Sequence, residues 1–98
     1  MSLAVVFEYE VDPAGAEAFE AVYGSDGEWA RSFAGAEGYL GTEMLRSGEG
    51  RYLVIDRWCA AADYDAFLGA NAEEYGARNQ AATGLWLRER ALGRFDAG

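Results

Sequence analysis

The side chains best suited to chemistry in this 98-residue chain lie along one predicted helix in its second half. Steps of three, four, four and three residues connect Tyr64, Phe67, Asn71, Tyr75 and Arg78. At 100° per residue these positions fall within a sector of roughly 60 to 80°, on the helix face expected to meet a sheet. Their polar groups must reach water, a carboxylate or a ligand there. Two interpretations stay open: a small-molecule site, or an ordinary core in which Arg78 pairs with a carboxylate.

A single carboxylate interrupts a mostly apolar predicted strand at residues 51–58. One face of this strand carries Tyr52, Val54, Asp56 and Trp58, and the other carries Leu53, Ile55 and Arg57. A buried Asp56 either pairs with an arginine, such as Arg46 or Arg90, or lies in a pocket that raises its pKa. The pattern favours the pair, whereas in a pocket Asp56 could act as a general base. Alternation alone does not tell whether its face meets the helices or a partner chain.

The composition narrows the chemistry further. The chain has no histidine and no lysine, so all eight of its cationic residues are arginines, and Cys59 is its one cysteine. These counts exclude a serine nucleophile activated by histidine, histidine-ligated zinc or haem, a lysine Schiff base and a phosphate-binding lysine. Carboxylates, Tyr, Trp, Asn and Arg remain. We therefore expect no metal bound through histidine or cysteine, and we place no metal among the candidate site residues.

The net charge of −9 argues against nucleic acids and anionic membranes as partners, because both carry negative charge. The longest early apolar run, residues 3–7, is too short for a signal sequence or a membrane span. We therefore expect a cytoplasmic protein, with Cys59 reduced, that interacts with small molecules or protein surfaces.

Hydrophobic periodicity predicts a βαββαβ order in a single domain spanning residues 1–98. Strands are predicted at residues 3–11, 39–46, 51–58 and 89–95. A helix is predicted to follow Asp12 and Pro13, a short one to carry Trp29 and Phe33, and a long one to span residues 60–82 with a break at Gly69. This order predicts a ferredoxin-like α+β fold, a four-stranded antiparallel sheet with its helices on one face.

Both faces of the predicted strand at residues 51–58 are largely apolar, yet helices cover only one side of such a sheet. An uncovered apolar face is unusual for a monomer. We therefore predict a homodimer in which the sheets of two chains pack together. Arg88, Arg90 and Arg94 alternate along the last strand, which predicts a solvated edge.

Several segments share a pattern with one known family. They are the strand opening Val5-Val6-Phe7-Glu8-Tyr9, the helix at residues 19–23, the segment Gly38-Tyr39-Leu40-Gly41-Thr42-Glu43, and Asp56-Arg57-Trp58 followed by residues 62–68. Through these segments the chain resembles the antibiotic biosynthesis monooxygenase (ABM) family of dimeric α+β barrel proteins. The resemblance implies oxidation of a phenol, hydroquinone or anthrone by dioxygen without a cofactor, in which the deprotonated substrate passes an electron directly to dioxygen.

The resemblance also implies roles for individual residues. The tryptophan, helix tyrosine and helix arginine of anthrone-oxidising members match Trp58, Tyr64 and Arg78. In this assignment Tyr64 and Arg78 hold the substrate oxyanion, and Asp56 or a water molecule takes the proton. The residues expected around the aromatic substrate are Trp58, Phe67, Asn71 and Tyr75.

Two positions depart from the family pattern. Val54 stands where anthrone-oxidising and haem-degrading members have asparagine, and Phe67 stands where many relatives have histidine, which argues against the haem-degrading branch. Two other functions stay open: a non-catalytic dimeric binder or scaffold, and a cofactor-free isomerase or cyclase. An open cavity lined by Trp58, Tyr64 and Arg78 would favour an enzyme or a binder. A collapsed interior with Arg78 in a salt bridge would favour a scaffold.

Overall fold

The computed structural model describes residues 2–97, which form one antiparallel sheet covered on one side by helices. The strands are β1 (Ser2–Glu10), β2 (Tyr39–Arg46), β3 (Arg51–Trp58) and β4 (Arg88–Ala97). The α-helices are α1 (Ala16–Tyr23), α2 (Glu28–Phe33), α3 (Ala61–Ala70) and α4 (Ala72–Ala82), with 3₁₀ turns at Pro13–Gly15 and Thr83–Leu85. The sheet order β2-β3-β1-β4 confirms the predicted ferredoxin-like fold. Within the described residues, no helix has the length and apolar character needed to span a membrane.

The alternation within β3 places Asp56 on the helix side of the sheet. The buried residues of β3 are Tyr52, Val54, Asp56 and Trp58. Tyr52 packs against Phe19 of α1 with ring centroids 4.8 Å apart, and Trp58 packs against Tyr64 of α3 at 5.4 Å. The face that contains Asp56 therefore meets the helices of its own chain, which alternation alone did not decide.

The predicted helix start at Asp12 is confirmed. The Asp12 side chain accepts a hydrogen bond from the backbone N–H of Ala14 at 3.0 Å, and Pro13 opens the 3₁₀ turn that leads into α1. Helices α1 and α2 then place four buried aromatic rings over the sheet: Phe19, Tyr23, Trp29 and Phe33.

The long helix predicted at residues 60–82 is two helices, and the break lies at Asn71 rather than at Gly69. Asn71 adopts φ −123° and ψ 25°, and its Nδ2 donates to the carbonyl oxygen of Phe67 at 3.0 Å. An asparagine side chain competes with the backbone for such carbonyl oxygens, which favours a helix end there. The predicted stripe still faces inward, because Tyr64 is buried and its other members are half-buried: Phe67, Asn71, Tyr75 and Arg78.

Arg88, Arg90 and Arg94 were predicted to share one solvated face of the last strand. In β4 this prediction is wrong for Arg94. The pairing of β1 with β4 shifts at Leu92, an extra residue that forms a β-bulge. Because a bulge reverses the alternation, Arg94 lies on the helix side of the sheet, whereas Arg88 and Arg90 stay on the outer side. The Arg94 guanidinium lies 4.9 Å from the centroid of the Tyr64 ring.

Candidate active site

A cavity of about 140 Å³ lies between the sheet and the helices. Strands β1 and β3 form its floor with Phe7, Tyr9, Val54 and Asp56. Helices α1, α2 and α4 form its roof with Tyr23, Trp29, Phe33, Tyr75 and Asn79, and Glu89 of β4 closes one side. Since most of these side chains are aromatic, the cavity suits a flat ring, and its few polar groups can orient such a ligand.

Asp56 is the buried carboxyl of this cavity. Only 7% of the residue is exposed, and its Oδ1 accepts a hydrogen bond from Thr42 Oγ1 at 2.7 Å. The Tyr39 hydroxyl lies 2.5 Å from the same threonine oxygen. Because Thr42 gives its proton to Asp56, Tyr39 is the donor to Thr42. The three groups form a hydrogen-bonded chain that leads from the cavity to the half-buried side chain of Tyr39.

Burial raises the pKa of Asp56 from 3.8 to about 6, and the hydrogen bond from Thr42 opposes this rise. The expected pairing of Asp56 with an arginine is wrong. Arg46 instead pairs with Glu20 at 3.2 Å, and Arg90 lies 3.7 Å from Glu8 on the outer face. A carboxyl with this pKa is largely ionised at neutral pH and is a stronger base than an ordinary aspartate, which suits a general base.

The phenols around the cavity are held in their neutral form. Burial raises the pKa of Tyr75 and of Tyr9, and the neighbouring Glu89 raises the pKa of Tyr9 further. A neutral phenol can donate a hydrogen bond. Tyr75, in the cavity roof, can therefore donate to an oxygen atom of a bound ligand.

Trp58 and Tyr64 lie in the core beside the cavity and are absent from its lining. Trp58 is fully buried, with its ring centroid 5.5 Å from that of Phe33, 5.3 Å from Tyr39 and 5.8 Å from Phe67. Tyr64 packs between Trp58 and the guanidinium of Arg94 on β4. Trp58 therefore supports the cavity wall through Phe33, which lines the cavity, and Tyr64 supports Trp58 in turn.

Three other residues of the predicted site also lie outside the cavity lining. The Arg78 guanidinium stands 5.8 Å from the centroid of the Trp29 ring, and its Nη1 lies 3.6 Å from a carboxylate oxygen of Glu28. The guanidinium of Arg78 therefore packs against the Trp29 ring from outside the cavity lining and helps to fix the position of that ring. Phe67 and Asn71 border a separate shallow hollow between α2 and α3.

Of the predicted site residues, the cavity brings together Asp56 and Tyr75. Trp29 lines the cavity but was not among the predicted site residues. Its four-residue spacing from Phe33 predicts a helix and does not show where that helix packs on the sheet. Asn79 follows Tyr75 by four residues on the same helix face, so the spacing itself could have indicated it. Placing Glu89 at the cavity required the register between β1 and β4, which the bulge in β4 alters.

The arrangement can deprotonate and hold a phenol. The cavity combines a carboxyl able to accept a proton, a neutral phenol and a buried indole within aromatic walls. A positioned base removes the proton, and hydrogen-bond donors stabilise the oxyanion that forms. Among residues 2–97 no three His, Cys, Asp or Glu side chains are grouped so as to hold a metal ion.

Known proteins share both the sequence pattern and the fold. The family profile for antibiotic biosynthesis monooxygenase matches residues 2–77. SnoaB, a cofactor-independent oxygenase from Streptomyces nogalater solved in mutant form, superposes with a TM-score of 0.79 at 23% identity, covering 98% of this chain and 92% of that one. A candidate antibiotic biosynthesis monooxygenase from Caulobacter crescentus CB15 superposes with a TM-score of 0.77 at 24% identity, covering 99% and 90%. At such identities the likeness to both structures is one of fold. No curated protein matches the chain.

Proposed function

Because the chain belongs to the antibiotic biosynthesis monooxygenase family, we propose that it oxidises a small aromatic phenol or quinol with dioxygen and without a cofactor. The observation that carries this proposal is the buried carboxyl of Asp56 in an aromatic cavity, where its pKa is raised to about 6. The cofactor-independent activity of SnoaB, which shares the fold, supports it. We place the activity in the cytoplasm, where the exposed Cys59 stays reduced.

In the proposed reaction Asp56 accepts the proton of a phenolic hydroxyl, while Tyr75 donates a hydrogen bond to the resulting phenolate. The phenolate passes one electron to dioxygen, and the substrate radical and superoxide combine to form a C–O bond at a ring carbon that bears hydrogen. Loss of water from this hydroperoxide leaves a carbonyl. One oxygen atom thus enters the product and the other leaves as water, with all four electrons supplied by the substrate. The proton taken by Asp56 returns to the peroxide anion, which thereby becomes the hydroperoxide, while the hydrogen bond from Thr42 holds the Asp56 carboxylate in place.

The other predicted residues take positioning roles in this proposal. Trp58, Tyr64 and Phe67 hold the side of the cavity formed by Phe33, since their rings pack in one continuous cluster. Arg78 holds Trp29 from outside, and Asn71 sets the angle between α3 and α4 by ending α3. These residues act on the substrate through the side chains that line the cavity.

Labelled dioxygen tests the reaction type. Metal-depleted protein is incubated with phenols and hydroquinones under ¹⁸O₂, and the products are analysed by mass spectrometry. We expect one ¹⁸O atom in each product molecule, because a single oxygen atom forms the new carbonyl. An unlabelled isomer of the substrate would support a cofactor-free isomerase or cyclase instead. Unchanged substrate across the panel would support a non-catalytic binder.

A non-catalytic scaffold or binder is the second candidate, and the placement of Arg78 favours it. Its guanidinium is engaged with Glu28 and Trp29 rather than with the cavity. A pure scaffold, however, has no need of an internal hollow, and this chain has one of about 140 Å³ lined in part by Asp56. The cavity therefore favours a function that involves a small molecule over a purely structural one.

We also propose that the chain forms a homodimer through the outer face of its sheet, the side that no helix covers. Apolar side chains occur on this face in all four strands: Val6, Leu45, Leu53, Ile55 and Phe95. Leu45 and Phe95 are 45% and 52% exposed in the single chain. A contiguous apolar surface of this kind is typical of protein–protein contacts, and a second sheet of the same sequence would cover it.

A charge at the centre of this face is expected to separate the dimer. Ile55 lies on β3, paired with Val6 on one side and Glu43 on the other, so an Ile55→Glu substitution would bury an unpaired carboxylate in the interface. Light scattering at micromolar concentration should give the wild type about twice the single-chain mass of 10.6 kDa, and Ile55→Glu the single-chain mass. Ala77→Glu, on the exposed side of α4, is the matched control and should stay dimeric. A wild type with the mass of one chain would contradict the dimer.

A further inference from the structure

We propose that the cavity binds an organic cation, a ligand whose protonated amino group is held by Glu89 while a hydrogen-bond donor at its other end meets Asp56. The inference rests on the proposed function for the group at Asp56, whereas the binding of the amino group at Glu89 does not depend on turnover. Three features of the cavity support it: a carboxylate without a cationic partner, the separation of the two carboxyls, and the aromatic side chains at the mouth.

Glu89 is a carboxylate of the cavity that the chain itself does not neutralise. It lines the cavity from β4 and is half-buried. Within residues 2–97 it forms no ion pair, and no arginine is among the lining residues. Its neighbours Arg88 and Arg90 lie on the other face of β4, where Arg90 is 3.7 Å from Glu8. A partly buried carboxylate without a counter-ion is costly, and a cationic ligand removes that cost.

The two carboxyls of the cavity are held in place and keep oxygen atoms free for a ligand. Burial raises the pKa of Tyr9, and its hydrogen bond to Glu89 raises this pKa further, so the Tyr9 hydroxyl donates to Glu89. Asp56 is only 7% exposed and accepts one hydrogen bond at Oδ1, from Thr42, whereas its Oδ2 accepts none from side chains of residues 2–97. A carboxylate can accept about four hydrogen bonds, and buried acceptors are rarely left without a partner. Donors on a ligand can therefore satisfy both groups.

Asp56 and Glu89 lie at opposite ends of the cavity. Asp56 pairs with Val5 and Glu89 pairs with Tyr9, so the two carboxyl residues are two strands and four positions apart. With strands about 4.8 Å apart and a rise of about 3.3 Å per residue, their Cα atoms are separated by roughly 16 Å. One ammonium group does not reach both carboxyls. A para-substituted phenol with a short aminoalkyl chain can, because its hydroxyl and its amino group lie at opposite ends.

The amino group belongs at the mouth of the cavity. Asp56 is buried, whereas Glu89 is half-buried and Asn79 is exposed, so the cavity opens beside Glu89 and Asn79. An ammonium group at this position keeps part of its hydration, which lowers the cost of binding. The aromatic rings of Tyr9 and Tyr75 also line the cavity, and aromatic rings attract cations. An anionic group at the mouth would instead be repelled by Glu89.

Three phenols that differ only in the charge of their side chain test the inference by calorimetry under argon at pH 7. Tyramine carries a protonated amine, tyrosol a neutral hydroxyl at the same position, and 4-hydroxyphenylacetate a carboxylate. We expect tyramine to bind about ten-fold more tightly than tyrosol, the usual effect of one hydrogen bond to a charged group. 4-Hydroxyphenylacetate should bind more weakly than tyrosol. Equal affinities for tyramine and tyrosol would overturn the inference.

Glu89→Gln locates the preference for the cation. Glutamine has nearly the same size, and its carbonyl oxygen can still accept the hydrogen bond from Tyr9. We expect this variant to bind tyramine no more tightly than tyrosol, with the affinity for tyrosol unchanged. Glu73→Gln changes the net charge by the same amount at an exposed position of α4 outside the lining and should keep the ten-fold preference. An equal loss in both variants would assign the preference to the overall charge and contradict a site at Glu89.

Nuclear Overhauser effects on the wild type test the orientation of the ligand without a variant. In the tyramine complex the methylene protons next to the amine should lie close to side-chain protons of Asn79 or Glu89. The ring protons next to the hydroxyl should lie close to the methyl groups of Val54, which lines the cavity two residues before Asp56 on the same face of β3. The reverse pattern would contradict the assignment of the amino group to Glu89.

The outcomes also separate this inference from the proposed oxidation. Selective binding of tyramine that depends on Glu89, with no oxygen uptake by any phenol, would leave the cation site standing and remove the proposed function. Oxygen uptake with methylhydroquinone, together with equal binding of tyramine and tyrosol, would support the oxidation and overturn the cation site.

Discussion

Asp56→Asn is expected to lower the rate of substrate oxidation by about 10²- to 10⁴-fold, the usual contribution of a positioned general base. Asparagine has nearly the same shape, and its carbonyl oxygen can still accept the hydrogen bond that Thr42 gives to Asp56 at 2.7 Å. The cavity should therefore keep its form and, in the absence of dioxygen, still bind a phenol such as 4-methoxyphenol. Initial rates of oxygen uptake, set against calorimetric binding of that probe, measure the two properties separately. Full activity in the variant would make water the base.

The same substitution predicts two pH profiles. The wild-type rate should rise as the pH increases through about 6, where Asp56 loses its proton, whereas the residual rate of Asp56→Asn should lack this rise. Thr42→Val removes the hydrogen bond that lowers the pKa of Asp56, so its rate should rise at higher pH. Thr42→Ser keeps a hydroxyl and should resemble the wild type. Identical profiles for all four proteins would exclude Asp56 as the titrating base.

The contribution of Asp56 to the free energy of unfolding should fall as the pH rises, whereas the activity should increase. The folded-state pKa of Asp56, about 6, lies above its ordinary value of 3.8, so the protein gains stability from protonating this group and loses it as the pH rises from 3.8 through 6. This difference corresponds to about 3 kcal/mol. At pH 7 the neutral Asp56→Asn should therefore resist urea better than the wild type, and near pH 3 this advantage should disappear. If the wild type and Asp56→Asn were equally stable to urea at pH 7 as well as at pH 3, a buried, ionisable Asp56 would be contradicted.

Trp58→Ala is expected to lower the free energy of unfolding by about 3 to 5 kcal/mol, the cost of removing a large aromatic side chain from a packed core. Trp58 is fully buried and contacts Phe33, Tyr39, Tyr64 and Phe67. Domains of this size have a total stability of about 5 to 15 kcal/mol, so the variant would be close to unfolding. Urea denaturation followed by circular dichroism, at one fixed protein concentration, measures the loss.

Trp58→Phe is the matched control for this prediction. The indole N–H of Trp58 has no acceptor within the described residues, so its removal breaks no hydrogen bond there. Phenylalanine also keeps most of the apolar contact, and the loss should be clearly smaller than in Trp58→Ala. An alanine variant as stable as the wild type would show that Trp58 does not hold this core together.

Much of the fold could be predicted from periodicity, because the alternating strands and the Asp12-Pro13 helix start are local features. The break in the long helix was misplaced for an energetic reason. Gly69 weakens a helix but fits within one, whereas the Asn71 side chain takes the carbonyl oxygen of Phe67. The sequence also could not predict on which face of the sheet Arg94 lies, because this depends on a bulge that appears only when β1 and β4 are paired.

The candidate site was harder to predict than the fold. Helix spacing placed Tyr75 correctly, and strand alternation placed Asp56 on a buried face. The partner of Asp56 could not be foreseen, because Thr42 lies on a neighbouring strand and only the register brings the two side chains together. The four-residue spacing of Trp29 and Phe33 predicts a short helix, but such a spacing shows only which face is buried and not where packing leaves a hollow.

The most direct test of the proposed function is the initial rate of oxygen uptake by metal-depleted protein with methylhydroquinone at pH 7, corrected for the buffer rate and compared with Asp56→Asn. We predict that the wild type consumes dioxygen well above the buffer rate and that Asp56→Asn loses at least about 10²-fold of that activity. Uptake by the wild type that matches the buffer rate would contradict cofactor-free oxidation, and equal uptake by both proteins would contradict Asp56 as its base.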